Sequence, residues 1–278
     1  MTKQAARRLI NRKPDALGRL LLLCLPFALA LLAYMIASEA RLAVNPSDKL
    51  LPAWSTISEA ISRMAFSPDP RSGNYLLWED TVASLFRLAT GVAIATLLGG
   101  IIGILQGLIP YVRATLHYFT SVVSMIPPLA VLPVLFIAFG LGELAKVVLI
   151  VVGILPYIIR DLALRTQEIP HEEIIKAQTL GASTWQIIIR IVVPQMMPRL
   201  LDSVRLSLGA AWLFLIAAEA IAADSGLGYR IFLMRRYLAM DVILPYVAWI
   251  TLLAFMLDLM LRGVQRGFFG WMYRGQGN

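Results

Sequence analysis

Long apolar runs separated by short polar segments dominate the hydrophobic pattern of this chain. A helix that crosses a bilayer needs about 20 predominantly apolar residues. Six apolar runs of 13 to 27 residues stand out, at residues 20–37, 82–108, 115–139, 147–159, 200–223 and 242–261, and five of them approach or exceed that length. The pattern therefore predicts an all-α membrane protein with about six transmembrane helices.

Composition supports a lipid environment. The 278 residues are 59% hydrophobic and only 15% charged, with a mean hydropathy of +0.73. Soluble globular domains carry about 25% charged residues. The deficit of charge excludes an ordinary soluble fold.

The net charge of +8 is explained by topology rather than by nucleic acid. Lys and Arg lie mainly at the ends of the apolar runs, whereas a nucleic-acid binder concentrates them on a hydrophilic domain. Placing both termini in the cytoplasm puts 16 of the 25 Lys and Arg inside, as the positive-inside rule requires. We therefore expect a multi-pass protein of the bacterial inner membrane, in contact with lipid and with no nucleic-acid partner.

This topology divides the chain into five parts. They are a cytoplasmic basic tail (1–19), a first transmembrane helix (20–40), a periplasmic segment (41–81), a core transmembrane domain (82–265) that includes a cytoplasmic loop (160–194), and a cytoplasmic tail (266–278). The first helix exceeds the 7–15 residues of a signal-peptide core, which favours its retention over cleavage. The helical spacing of apolar residues at 54–64 predicts an amphipathic helix, either along the membrane surface or packed as a connector.

Glycines and prolines mark special points within the runs. Gly99, Gly103 and Gly107 recur every four residues, a spacing that lets a neighbouring helix approach closely. Pro127 and Pro128 interrupt the third run, where prolines remove backbone hydrogen bonds and bend a helix. Together with Met125 they are candidates for the apolar part of a gate, although core packing is the alternative for Met125.

The polar stretch between the fourth and fifth runs predicts a short exposed helix. Pro170 suits a first helical turn, and Glu172 and Glu173 are favourable near a helix N-terminus. Glu172 and Lys176 have the spacing of an ion pair. Glu173, Ala177 and Gly181 are predicted to share one face, leaving a notch for another protein. A helix-ending role for Gly181 is the alternative.

This stretch resembles the cytoplasmic signature of permease subunits of binding-protein-dependent ABC importers. The signature is Glu-Ala-Ala, three residues, Gly, nine residues, Ile-x-Leu-Pro. Ala177, Gly181, Ile191 and Pro194 fall at its second alanine, glycine, isoleucine and proline, with Val193 at the leucine. Ile175 and Lys176 depart from its glutamate and first alanine.

The nitrate/sulfonate/taurine branch of that family is similar over about residues 80–265. The segments that carry this similarity are Ser84–Arg87, Ile126–Pro133, Phe139–Glu143 with Lys146, Leu180–Ser183, Gly209–Trp212, Ala217–Glu219 and Ser225–Tyr229. The resemblance implies a type I ABC importer permease, a transport subunit rather than an enzyme.

The resemblance also implies partners. Two copies of a separate ATPase would bind ATP and Mg, a periplasmic binding protein would deliver a small polar solute, and a second permease copy would form a homodimer. No cofactor is expected in this chain. The residues implied in docking the ATPase are Glu172, Glu173, Lys176, Ala177, Leu180, Gly181 and Ala182.

Glu219 is the most unusual ionisable residue of the spans, because a charge at membrane depth faces a cavity or a partner. It is predicted to line the pathway together with Trp212, or else to pair with an arginine such as Arg87 or Arg205. Neither a phosphate-binding Gly-x-x-x-x-Gly-Lys-Ser/Thr loop nor a Cys/His ligand cluster is present in the sequence. A self-contained secondary transporter or channel is the alternative function, but no internal repeat supports it.

Overall fold

A computed structural model describes residues 14–46, 48–70 and 72–273, and these residues form helices and connecting turns without a strand. The predicted tails therefore lie partly outside the described residues. The helices are α1 (Ala16–Val44), α2 (Trp54–Phe66), α3 (Leu76–Leu108), α4 (Pro110–Val123), α5 (Pro128–Phe139), α6 (Glu143–Gln167), α7 (His171–Thr179), α8 (Thr184–Ile187), α9 (Val193–Ala222), α10 (Leu227–Arg235), α11 (Met240–Phe268) and α12 (Gly270–Tyr273).

Five helical stretches among the described residues are long and apolar enough to cross a membrane. They are α1, α3, α6, the continuous stretch Thr184–Ala222 and α11. The pair α4 and α5 completes a sixth span if the two helices are taken together, although they meet at 95°. The predicted all-α membrane architecture with about six spans is confirmed.

The bend between α4 and α5 follows from the sequence. Pro127 is the N-cap residue of α5 and Pro128 is its first residue. Neither residue has a backbone N–H to continue the hydrogen-bond ladder of α4. The helix therefore stops near Ser124 and restarts in a new direction.

Close packing of α3 against α6 forms the centre of the bundle, with α9 against both helices. A Cβ atom added to Gly103 would lie 3.0 Å from the carbonyl oxygen of Ile159. One added to Gly107 would lie 2.7 Å from the carbonyl oxygen of Ala163. The glycine stripe thus allows backbone-to-backbone approach, which stabilises helix pairs in lipid.

The two helices before α3 lie at the edge of this bundle. The described apolar window of α1 has no buried residue. Its side-chain hydrogen bonds run from Tyr34 and Ser38 to backbone carbonyls of Leu51 and Pro52. In contrast, α2 buries one face against α11 and α3. The apolar face of α2 therefore packs on the bundle, and its position relative to the membrane surface stays a prediction.

Asp48 stabilises the connector between α1 and α2. It accepts a hydrogen bond from the backbone N–H of Leu50 at 2.9 Å and another from the guanidinium of Arg41. These two interactions hold the pKa of the Asp48 carboxyl below its ordinary value, since hydrogen bonds and a nearby cation favour the charged form.

Candidate functional site

The short helix α7 projects from one end of the bundle and presents a charged surface. Glu172, Glu173 and Lys176 are exposed, Ala177 and Ala182 are half-buried, and Leu180 is 87% exposed although it is apolar. The predicted ion pair between Glu172 and Lys176 is absent from the ion pairs of the described residues. Both side chains are therefore free to meet another surface.

Gly181 ends α7 rather than lying on it. Its φ is +81°, its N–H donates to the carbonyl of Gln178 at 2.9 Å, and the N–H of Ala182 donates to that of Ala177 at 3.0 Å. This pair of bonds is the Schellman motif. The prediction that Gly181 shares a face with Glu173 and Ala177 is wrong, because the chain has already left the helical path at that residue.

This geometry gives Gly181 a conformational role. No atom lies within 4 Å of a Cβ built on it, so a methyl group meets no steric obstacle, but φ > 0 costs an ordinary residue about 1–2 kcal/mol. We expect Gly181→Ala to fray the end of α7, and Gly181→Asn to do so less because Asn tolerates this conformation. Hydrogen exchange of the α7 amides measures the effect, and equal exchange in all three proteins would contradict it.

Polar contacts hold α7 and its flanking turn to the long ninth helix. Gln195 donates to Glu173 at 2.9 Å, and Arg199 forms an ion pair with Glu168 at 2.6 Å. On the other side of Gly181, Ser183 and Gln186 form a reciprocal capping box that starts α8, an arrangement that satisfies two free backbone N–H groups. The bonds of Gln195 and Arg199 therefore link the exposed segment to α9.

A π-helical turn (Ile188–Val192) joins α8 to α9 without a break. Pro194 follows this turn near the start of α9, where its missing N–H interrupts the backbone hydrogen-bond ladder of the continuous path. The helical path from Thr184 nevertheless continues to Ala222, at the opposite end of the bundle.

At that opposite end, Glu219 forms an ion pair with Arg87. The guanidinium of Arg87 donates to the Glu219 carboxylate at 2.7 Å, and Ser84 donates to the two carboxylate oxygens at 2.8 and 3.0 Å. The Glu219 side chain is fully buried. Glu219 was predicted either to line the pathway or to pair with an arginine. The geometry shows the pair, with Arg87 as the partner.

Three side chains from other helices cap the N-terminus of α10. Asp80, Ser84 and Glu219 each accept a hydrogen bond of 2.8 Å, from the backbone N–H groups of Gly226, Leu227 and Gly228 respectively. Negative groups are favourable at a helix N-terminus. Capping thus fixes the turn between α9 and α10 to α3.

Further charges extend this cluster. Arg230 and Tyr246 donate to Asp80 at 2.8 and 3.1 Å. Glu143 accepts from Arg87 at 2.5 Å and from Lys146 at 2.8 Å. The result is a charged network that joins α3, α6, α9, α10 and α11. The sequence did not predict the pair of Asp80 and Arg230, because these two residues are 150 positions apart along the chain.

The other predicted pathway residues lie in different environments. Trp212 is buried, and its indole N–H has no hydrogen-bond partner among the described residues. Met125 is 77% exposed at the bend between α4 and α5, beside Pro127 and Pro128. Core packing, the alternative for Met125, is therefore wrong for the isolated chain.

The fold and these surfaces define a polytopic helical membrane protein with an exposed short helix at one end. Residues 82–270 match the binding-protein-dependent transport system inner membrane component family, and the chain belongs to that family. The prediction that this chain is a permease subunit, with the ATPase on a separate chain, is confirmed.

Individual relatives agree with this assignment. The chain is 37% identical to the taurine transport system permease protein TauC of Escherichia coli over 195 residues, which are 70% of this chain and 71% of that protein. It is 31% identical to the bicarbonate transport system permease protein CmpB of Synechococcus elongatus over 194 residues, 69% of each chain. The putative aliphatic sulfonates transport permease protein SsuC of Bacillus subtilis is 30% identical over 190 residues, 68% of each chain.

Solved structures match the same fold. Two inward-facing structures of the MetNI methionine ABC transporter align with TM-scores of 0.52 and 0.56 at 21% sequence identity. They cover 68% and 69% of this chain and 94% and 93% of the matched chains. The predicted type I importer permease architecture is confirmed.

Proposed function

We propose that this chain carries a small polar solute across the inner membrane and that α7 with Leu180, Gly181 and Ala182 receives the motion of an ATPase. The exposed α7, linked to α9 through Gln195, is the observation that carries the proposal. A helix that transmits force must be accessible to its partner and connected to the bundle. Gln195 connects α7 to α9, and Arg199 connects the preceding residue Glu168 to the same helix.

The proposed assembly contains two copies of this chain, two ATPase subunits that bind ATP and Mg, and a periplasmic binding protein. Both termini and α7 lie in the cytoplasm, in agreement with the distribution of Lys and Arg. Each copy presents its own α7, so a homodimer offers one docking surface to each ATPase.

The solute is proposed to be nitrate, a sulfonate such as taurine, or a related small nitrogen- or sulfur-containing compound. Relatives named for taurine, bicarbonate and aliphatic sulfonates support this class. All three solutes are small and carry an anionic group. Selection among them belongs to the binding protein.

Leu180 provides the sharpest test of docking. Its side chain is almost fully exposed at the tip of the α7 turn, where an apolar group that packs on nothing in its own chain suits a partner surface. We expect Leu180→Asp to reduce retention of the co-expressed ATPase at least tenfold during purification in detergent, while the permease keeps its size-exclusion profile.

Leu141→Asp is the matched control. Leu141 is also exposed, at 66%, but it lies just before α6 at the opposite end of the bundle. This variant should retain the ATPase as the unmodified protein does. If Leu180→Asp retains the ATPase equally well, α7 is not the docking surface.

A further inference from the structure

A cavity of about 340 Å³ opens where the bend between α4 and α5 faces α6. Its polar lining comes from Ser124, Tyr157, Arg160 and Asp161, and Ile126 and Pro128 line it from the bend. The volume is within the range of about 300–1,000 Å³ typical of small-molecule sites. It is distinct from the charged network at the other end of α6.

Arg160 is the cation of this cavity. It is exposed, and its guanidinium donates to the hydroxyl of Ser124 at 2.7 Å. No ion pair of Arg160 occurs within 4.0 Å among the described residues. An arginine held by a neutral hydroxyl keeps most of its donors for another acceptor, since a guanidinium has five N–H donors.

Asp161, the neighbouring carboxylate, is already engaged. It pairs with Arg165 at 2.8 Å and accepts a hydrogen bond from Ser203. Its charge is therefore compensated by Arg165 of its own helix. Arg160 forms no ion pair with Asp161 within 4.0 Å, so its guanidinium stays available to an anion in the cavity.

The N-terminus of α5 adds to the positive potential. Ile126 and Pro128, which flank the start of this 12-residue helix, line the cavity, and no side chain caps that end. A helix N-terminus carries about half a positive charge. In secondary transporters, broken membrane helices direct such ends towards anionic groups of the substrate.

We infer that this cavity binds the anionic group of the transported solute through the guanidinium of Arg160, with the N-terminus of α5 adding positive potential. The inference rests on the proposed function and says where in the chain the solute binds. An oxyanion such as a sulfonate, nitrate or bicarbonate has the planar or trigonal oxygen arrangement that arginine binds through paired hydrogen bonds.

The charge of the cavity can be measured without transport. In a Cys24→Ser background, Ile126→Cys introduces a thiol at the cavity wall of the full-length protein. We expect an anionic thiosulfonate reagent to modify it faster than a cationic one of similar size. Arg160→Gln should lower the ratio of the two rates at least tenfold, whereas Arg160→Lys and the remote control Arg262→Gln should change it less than twofold.

Protection distinguishes a solute from a lipid headgroup. In nanodiscs of phosphatidylcholine alone, millimolar ethanesulfonate or nitrate should slow the modification, and Arg160→Gln should abolish this protection. Protection by phosphatidylglycerol but by neither soluble anion would overturn the solute assignment. A rate ratio unaffected by Arg160→Gln would overturn the site itself.

Uptake by the whole transporter distinguishes failure of the cavity assignment from failure of the proposed importer function. In proteoliposomes with its ATPase and binding protein, Arg160→Gln should reduce ATP-dependent uptake at least tenfold without loss of the ATPase. Full uptake by this variant would refute the cavity and leave the importer intact. Absence of uptake by the unmodified assembly would refute the proposed function itself, whatever the labelling shows.

Discussion

Replacing Arg87 by Met is expected to lower the free energy of unfolding by about 3–5 kcal/mol, the usual cost of breaking a buried ion pair from one side. The substitution leaves the carboxylate of Glu219 fully buried without its cation. It also removes the bonds from Arg87 to Glu143 and to the backbone carbonyl of Ser225. In thermal denaturation of the purified protein this loss corresponds to a midpoint lower by about 10 °C.

Two further variants test the cause of that shift. Arg87→Met combined with Glu219→Gln should be more stable than Arg87→Met alone, because the uncompensated charge is gone. Arg262→Met is the control on another spanning helix. Its side chain is about half exposed beside Asp258, so it should cost less than about 1 kcal/mol. A midpoint for Arg87→Met close to that of this control would show that the buried pair contributes little.

Gly107→Ala is the second change with a large expected effect. The new methyl carbon would lie 2.4 Å from the Cβ of Thr166 and 2.7 Å from the carbonyl oxygen of Ala163. Neither neighbour can move away by rotating a flexible side chain, so α3 and α6 must separate. Overpacking of this kind costs about 1–3 kcal/mol or more.

Thermal denaturation again provides the measurement, with Gly263→Ala as the matched control. No atom lies within 4 Å of a Cβ built on Gly263, which lies on α11. Alanine there should leave the midpoint unchanged or raise it, because it favours the helix. Equal midpoints for the two variants would contradict close packing of α3 on α6.

Features that depend on neighbouring residues could be predicted from the sequence. The apolar runs predicted the spans, since length and hydropathy are local properties. Pro127 and Pro128 predicted the bend because they remove backbone donors wherever they occur. The glycine stripe predicted a close helix contact but not the identity of the partner helix.

Features that depend on long-range pairing could not be predicted with the same certainty. The sequence offered both Arg87 and Arg205 as partners of Glu219, and only the packing of α3 against α9 decides between them. The sequence places Arg160 at the start of the cytoplasmic loop. No residue near it in the sequence indicates that its guanidinium lies beside Ser124. For Gly181, helical extrapolation failed because the sign of a glycine φ depends on where the helix ends.

Four of the seven segments that carry the family resemblance meet in the folded chain. Ser84 and Arg87, Glu143 and Lys146, Glu219, and the turn Ser225–Gly228 are scattered along the chain but meet in the charged network. Each segment is unremarkable in isolation, since it supplies one or two members of a set. Their joint function is to fix the α9–α10 turn against α3.

The polar contacts of α1 lie in its C-terminal half, where Tyr34, Ser38 and Arg41 bond to the connector before α2. Its apolar run, residues 20–37, extends about 27 Å at 1.5 Å per residue, close to the hydrocarbon thickness of about 30 Å. The described apolar window of α1 has no buried residue, so lipid is its main neighbour. The angle between α1 and the bundle should therefore depend on the thickness of the bilayer.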